Sequence, residues 1–293
     1  RKIKWGIPIW RQNAEIVHLA ERARPDVLWV DKGTWVTSRT LRRVRKFGTR
    51  AIVHYTPDPA FLGHSSRLFH NALPYYDLVV TTKTYEVDHY KRHGTRELMT
   101  QYPSYDRDVH RPETPTAEET ELYRTDLVFI GNYGAGREVN LRPLADAGFD
   151  LTIRGPLWDQ CPDAVLRRHV KGGAIGGRNY SIALAGAKIA LGLLSPLWPD
   201  RSTTRTLEIP ACGAFLLAPR TNEHRALFEE GKEAEFFGSV AELVEKATYY
   251  LGHPAERARI AAAGRARCLA SGYSSADRVR EIAARVEQLL ESQ

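Results

Sequence analysis

The chain has 293 residues, 43% hydrophobic and 26% charged, which describes an ordinary folded protein and excludes disordered or collagen-like classes. No apolar run approaches the roughly 18 residues of a membrane-spanning helix, and no apolar stretch follows the charged start Arg1-Lys2-Ile3-Lys4-Trp5 as it would in a secretory leader. Cys161, Cys212 and Cys268 are too scattered for a disulfide framework or a zinc site, so a cytoplasmic protein, at most peripheral to a membrane, is expected. The net charge of +7 is unevenly placed: residues 1–125 hold 21 Lys and Arg against 15 Asp and Glu, whereas residues 126–293 hold 21 against 20. A basic first half would steer an acidic partner or an anionic membrane surface toward it, and equally would serve solubility alone. At roughly 100–200 residues per domain the length suggests two domains.

In chain order, the first apolar run is Val27-Leu28-Trp29-Val30, bounded by Pro25-Asp26 and Asp31. The second is Arg50-Ala51-Ile52-Val53-His54-Tyr55, ending at Pro57; the third is Asp77–Thr82, and Glu97-Leu98-Met99 is a weaker fourth. Short runs apolar on successive residues suit parallel strands covered on both faces. Between the first two, Ser38 or Thr40 is placed to cap a helix that turns Leu41, Val44 and Phe47 inward and Arg42, Arg43, Arg45 and Lys46 outward. Strand and helix in alternation predict a doubly wound α/β domain. Residues 107–125, with Arg111-Pro112-Glu113-Thr114-Pro115-Thr116 and an acidic stretch behind it, break the pattern and read as a linker.

The alternation then restarts at Asp126–Ile130, Asp150–Ile153, Lys188–Leu194 and Ala214–Ala218. Two long helical stretches close the chain at about 239–270, interrupted at His253-Pro254, and 274–291. In open α/β sheets ligands sit beyond the carboxyl ends of the strands. Two segments there carry chemistry. Gly131-Asn132-Tyr133-Gly134-Ala135-Gly136-Arg137 follows a strand, and its glycines would let backbone approach a phosphate while Arg137 adds a bidentate contact. Its spacing departs from the dinucleotide fingerprint, and an ordinary tight turn explains it equally well. Asp200-Arg201-Ser202-Thr203-Thr204-Arg205-Thr206-Leu207-Glu208 sets two carboxylates eight apart around two arginines. Carboxylates accept from ribose hydroxyls and arginines neutralise a diphosphate, although a surface ion-pair network would look the same.

Glu208-Ile209-Pro210-Ala211-Cys212-Gly213, leading into Ala214-Phe215-Leu216-Leu217, resembles the E-x-x-A-C-G segment of GT-B glycosyltransferases. The wider stretch from Asp200 through His224–Glu233, Tyr249-Tyr250-Leu251, His253–Arg257 and Ile260–Gly264 is similar to the CgeB-like (spore-maturation) glycosyltransferase family, and so are Asp126–Ile130 with Asn132 and Tyr102–Pro112. The resemblance is strong over about 126–275 and weaker over 1–110. It implies a GT-B fold, two Rossmann-like domains with parallel sheets facing across a cleft: an acceptor-side domain at 1–110, a linker at 111–125, a nucleotide-sugar domain at 126–273 and a helix at the junction at 274–293. It implies donor contacts at Gly131, Asn132, Gly136, Arg137, Arg201, Thr204, Arg205 and Glu208, with Glu208 on the ribose from a helix start. The family's first carboxylate is a Glu where this chain has Asp200, which leaves the stereochemical outcome open.

On the acceptor side an inverting transfer needs a base. Asp58, fixed between Pro57 and Pro59, is preferred over His64 and His54, and Asp31 with Lys32 reads as an ion pair. Asp106-Arg107-Asp108 superficially matches a D-x-D metal motif, but no apolar strand leads straight into it; no metal and no cofactor beyond the nucleotide-diphosphate-sugar co-substrate is expected, and no nucleic-acid partner. An epimerase or phosphorylase on the same fold, and a nucleotide-sugar-binding protein without turnover, remain alternatives.

Overall fold

Every strand pairing in the computed structural model, which describes residues 6–63 and 65–292, is parallel. Parallel neighbours need crossover connections, and the helices between strands supply them. Two compact units divide the chain: one takes it up to Tyr102 together with the stretch from Val279 onward, and the other is Pro103–Arg278.

The first unit holds β1 (Val27–Asp31), β2 (Ala51–Thr56), β3 (Leu78–Thr81) and β4 (Leu98–Thr100), side by side in chain order. Alternate side chains of a strand point to opposite faces. Val30, Ile52 and Val79 therefore pack with Leu41, Phe69, Leu73 and Tyr76 on one side. Ala51, Val53, Leu78 and Val80 meet Ile282 and Val286 of the last helix, Ser275–Glu291, on the other. Fully burying one such aliphatic side chain is worth about 1.5–3 kcal/mol, so the closing helix contributes to this core. The helix Ser38–Arg45 is capped by Thr37, whose hydroxyl accepts from the Thr40 N–H at 3.1 Å, rather than by Ser38 or Thr40. Thr40 is instead drawn inside, where its hydroxyl donates to Asn13 Oδ1 at 2.6 Å.

The second unit holds β5 (Thr125–Ile130), β6 (Leu151–Arg154), β7 (Ala187–Leu191), β8 (Leu216–Pro219) and β9 (Glu235–Phe237), in the order β6-β5-β7-β8-β9. The chain steps outward from β5 to β6 and then returns to β7 on the other side of β5. Strand order reverses there, and in open α/β sheets ligands bind beyond the carboxyl ends of the strands near such a reversal. Leu127, Phe129, Ile153, Ile189, Leu191 and Leu217 form the core with Leu141, Leu144, Leu243 and Ile260. The stretch 111–125 carries the helix Ala117–Tyr123, opened by a Thr116–Glu119 capping box. The closing helices Val240–Gly252 and Pro254–Ala270 break at His253-Pro254. Among the described residues no helix is long and apolar enough to cross a membrane.

Candidate functional site

A cavity of about 240 Å³ opens in the second unit beyond the carboxyl ends of β5 and β6. Gly131 and Asn132 wall it after β5, Gly155 and Pro156 after β6, and the loop 174–177 with Tyr180 closes another side. Thr204, Arg205 and Glu208 of the helix Thr204–Ala211 and His110 complete it. Two glycines keep the backbone of this turn close, and the first is obligatory. Gly155 has φ of 146°, and a Cβ there would stand 2.1 Å from the Gly131 carbonyl oxygen, a backbone atom that has no side-chain freedom to yield. A Cβ on Gly131 would come within 2.8 Å of the Phe129 ring and 3.0 Å of the Arg205 guanidinium. Trp158 pins this turn by donating from Nε1 to the Gly131 carbonyl at 2.9 Å. The backbone after β5 is thus held close against that after β6, with no side chain between it and the cavity at Gly131.

The helices Arg178–Ala185 and Thr204–Ala211 both begin at the cavity. The first N–H groups of a helix have no partner within it, and the dipole adds partial positive charge. The start of Thr204–Ala211 is set by a buried relay. The Thr203 N–H donates to Thr206 Oγ1 at 3.1 Å, that hydroxyl donates to His224 Nε2 at 2.9 Å, and His224 Nδ1–H donates to the Pro219 carbonyl at 2.6 Å. Burial lowers the His224 pKa, which keeps the ring neutral and Nε2 an acceptor. Thr203 Oγ1 itself has no hydrogen-bond partner among the described residues.

Arg205 Nε donates to the Ile130 carbonyl, which plants the guanidinium at the cavity wall beside Gly131. Glu208 lies in the second turn of its helix rather than at the start, because the helix begins only after Thr203. Its Oε2 accepts from the buried Tyr180 hydroxyl at 3.0 Å, and its Oε1 lies 3.8 Å from His110 Nε2. Burial, then the Glu208 charge, raises the Tyr180 pKa well above that of a free phenol, so the hydroxyl remains a donor. The cavity therefore combines an arginine, open helix N–H groups and a carboxylate: donors for an anion at one end, an acceptor for hydroxyls at the other.

The remaining residues singled out in the sequence sit elsewhere. Arg137 is buried, with its guanidinium 4.8 Å over the Phe129 ring, donating to the Asn132 and Leu194 carbonyls at 2.8 and 3.1 Å. Burial, and then the Arg205 charge, lower its pKa to about 10. Gly136 forms the turn before it, with its N–H donating to Glu138. Neither Gly136 nor Arg137 lines the cavity, and neither do Asp200 and Arg201. In the first unit, Asp58 pairs with Lys32 at 2.7 Å, which raises the lysine pKa. His54 is buried against Phe69 and Tyr76, and burial lowers its pKa to about 3. His64 lies outside the described residues. Asp106 Oδ1 accepts from the Asp108 and Val109 N–H groups as a turn residue. Among the described residues no group of three His, Cys, Asp or Glu is placed to hold a metal.

The lining residues not anticipated are His110, Gly155, Pro156, Tyr180 and residues 174–177 of the loop Gly172-Gly173-Ala174-Ile175-Gly176-Gly177. Four glycines in six residues directly before a helix were the available signal for the loop. Nothing local marks His110 or Tyr180, which only the fold brings to Glu208.

The family described as glycosyl transferase-like matches residues 137–284. No curated protein matches the chain by sequence. Among solved structures, HepE of Anabaena, determined with UDP, shares 16% identity over 94% of this chain and 82% of its own, with a TM-score of 0.68. It has also been determined with UDP-glucose. A glycosyltransferase from Rickettsia africae shares 12% identity over 100% of this chain and 84% of its own, at a TM-score of 0.70. Sucrose-phosphate synthase of Thermosynechococcus elongatus shares 13% over 97% and 80%, at 0.66. These likenesses are of fold: two parallel sheets with alternating helices, the GT-B pattern.

Proposed function

This chain belongs to the glycosyl transferase-like family, and from that premise we propose that the cavity of its second unit binds the nucleotide-diphosphate-sugar donor of a sugar transfer. The chain is a glycosyltransferase of the GT-B type; the donor's placement and the residues that hold it are our reading. Glu208 takes the ribose hydroxyls, since an ionised carboxylate is an acceptor-only group able to serve both. Arg205 and the first N–H groups of Thr204–Ala211 take the diphosphate and stabilise it as it leaves. Gly131 and Asn132 line the path of the phosphates, and the loop 174–177 with Pro156 meets the base. The observation that carries this reading is one cavity beyond the carboxyl ends of β5 and β6 that gathers Glu208, Arg205 and a helix start around a glycine-cleared backbone.

The crystallisation of HepE with UDP and UDP-glucose supports a uridine donor on the same fold. The segment Asp200–Gly213 supports a place near the CgeB-like group. Transfer without a metal follows from using an arginine and a helix N-terminus for the leaving diphosphate. Asp58 and His64 are the proposed bases for the acceptor hydroxyl, and Asp200 the proposed carboxylate near the transferred sugar. The acceptor is an acidic or membrane-borne molecule if the basic first half serves its recognition.

A thermal-shift panel of UDP, GDP, ADP and dTDP tests the binding. A ligand at 100 times its Kd stabilises the native state by about 2.7 kcal/mol, so one nucleotide is expected to raise the melting temperature by several degrees. The matching nucleotide-sugar should then be turned over, with EDTA leaving the rate unchanged. No shift with any nucleotide contradicts the donor reading, and loss of turnover in EDTA with recovery in manganese contradicts metal independence.

A further inference from the structure

Glu208 is held from both sides. The Tyr180 hydroxyl donates to Oε2 at 3.0 Å from a ring that is 7% exposed. His110 faces Oε1 at 3.8 Å. The His110 tautomer follows from its other nitrogen: the Asp106 N–H donates to Nδ1 at 3.0 Å, so in the neutral ring the proton sits on Nε2, toward the carboxylate. The two rings brace each other edge to face with centroids 5.6 Å apart. At 3.8 Å the His110 contact is longer than a direct hydrogen bond and acts on the carboxylate through the dipole of its Nε2–H.

We propose that Tyr180 and His110 are positioning residues for the donor ribose: they fix the Glu208 carboxylate so that its remaining lone pairs meet the two hydroxyls. This rests on the reading of Glu208 as the ribose-binding group. A glutamate side chain has three rotatable bonds, and an unrestrained carboxylate loses that freedom when it grips a ligand. A carboxylate already held by Tyr180 has lost it beforehand, and preorganisation of this kind appears as affinity for the gripped group alone. The prediction is therefore specific to the ribose hydroxyls, which separates positioning from general support of the fold.

The test is calorimetry on the full chain with whichever of UDP, GDP and ADP binds tightest, and with its 2′,3′-dideoxy analogue. Wild type is expected to prefer the ribose form by about tenfold or more, a difference of roughly 1.4 kcal/mol. Tyr180→Phe, which keeps the ring and removes the hydroxyl, should shrink that preference severalfold while leaving affinity for the dideoxy form in place. In a Glu208→Gln background it should change nothing further, as coupled residues do. His110→Ala should shrink the preference more modestly, and His110→Gln, whose amide N–H lies near the Nε2 position, should restore it. If Glu208→Gln abolishes the preference but Tyr180→Phe keeps it at the wild-type value, the positioning role is wrong and the Glu208 reading stands. Equal losses for both ligand forms in Tyr180→Phe make that tyrosine structural and likewise overturn the positioning role. A preference that survives Glu208→Gln overturns the ribose assignment itself, and failure of UDP, GDP, ADP and dTDP alike to bind overturns the donor reading.

Discussion

Arg137 and Arg205 show how two arginines near one glycine turn divide their work. Arg205 reaches the cavity wall with Nε on the Ile130 carbonyl, whereas Arg137 is inside, satisfied by two other carbonyls. Their variants should fail differently. Arg205→Ala is expected to cost nucleoside diphosphate affinity about 1.5–3 kcal/mol, the usual worth of a hydrogen bond to a charged group, with little change for the nucleoside alone. Arg137→Ala strands the Asn132 and Leu194 carbonyls and empties space over Phe129, so its main effect should be a lower melting temperature. Calorimetry with UDP and uridine beside thermal melts checks both; equal loss of the two ligands in Arg205→Ala would make that residue structural. The sequence could place both arginines near β5 or the helix Thr204–Ala211, but not their direction. Direction depends on Phe129 and on carbonyls more than fifty residues away, at Leu194 for Arg137 and Ile130 for Arg205. The resemblance of Glu208–Gly213 to a GT-B segment singled out Glu208, yet its depth in the helix was not legible, because the start depends on Thr203, Thr206 and His224 together.

At the scale of elements, eight of the nine strands among the described residues were visible because parallel strands covered on both faces must be apolar at successive positions. β9 was not: its first residue, Glu235, is buried and held by Lys246 Nζ at 2.5 Å and the Tyr250 hydroxyl at 2.7 Å. A buried charge paired across elements has no local signature. The strand order was also invisible, since nothing in β5, β6 or β7 alone says that β7 returns beside β5. The cavity's helix start is an element-level feature with its own test. Thr206→Val keeps the shape but leaves the Thr203 N–H and His224 Nε2 without their partner. Stranding buried polar groups costs about 1–3 kcal/mol, and Thr206→Ser should recover most of it. Circular-dichroism melts read this, and a Thr206→Val protein as stable as wild type would contradict the relay.

Over the whole molecule, two buried neutral histidines, His54 in one unit and His224 in the other, set the response to acid. The native pKa of His54, about 3, is below the ordinary value near 6.5 of an unfolded chain. Above pH 6.5 both states are neutral and nothing is lost. Below it the unfolded chain takes up a proton that the native chain refuses, so stability falls by up to about 1.4 kcal/mol per pH unit for each such group. Urea melts should lose stability between pH 7 and pH 5, with a shallower slope in His54→Leu; an unchanged slope in that variant would contradict the assignment.

The central claim, that the cavity beyond the ends of β5 and β6 receives the donor nucleotide, is tested most directly by hydrogen exchange with and without the nucleotide chosen by the thermal panel. Amides in a bound, closed site open less often and exchange more slowly. The account predicts the strongest new protection in peptides spanning 130–132, 155–156, 174–180 and 204–208, reduced in Glu208→Gln at the same nucleotide concentration. Protection concentrated elsewhere in the chain, with these four segments unchanged, would contradict it.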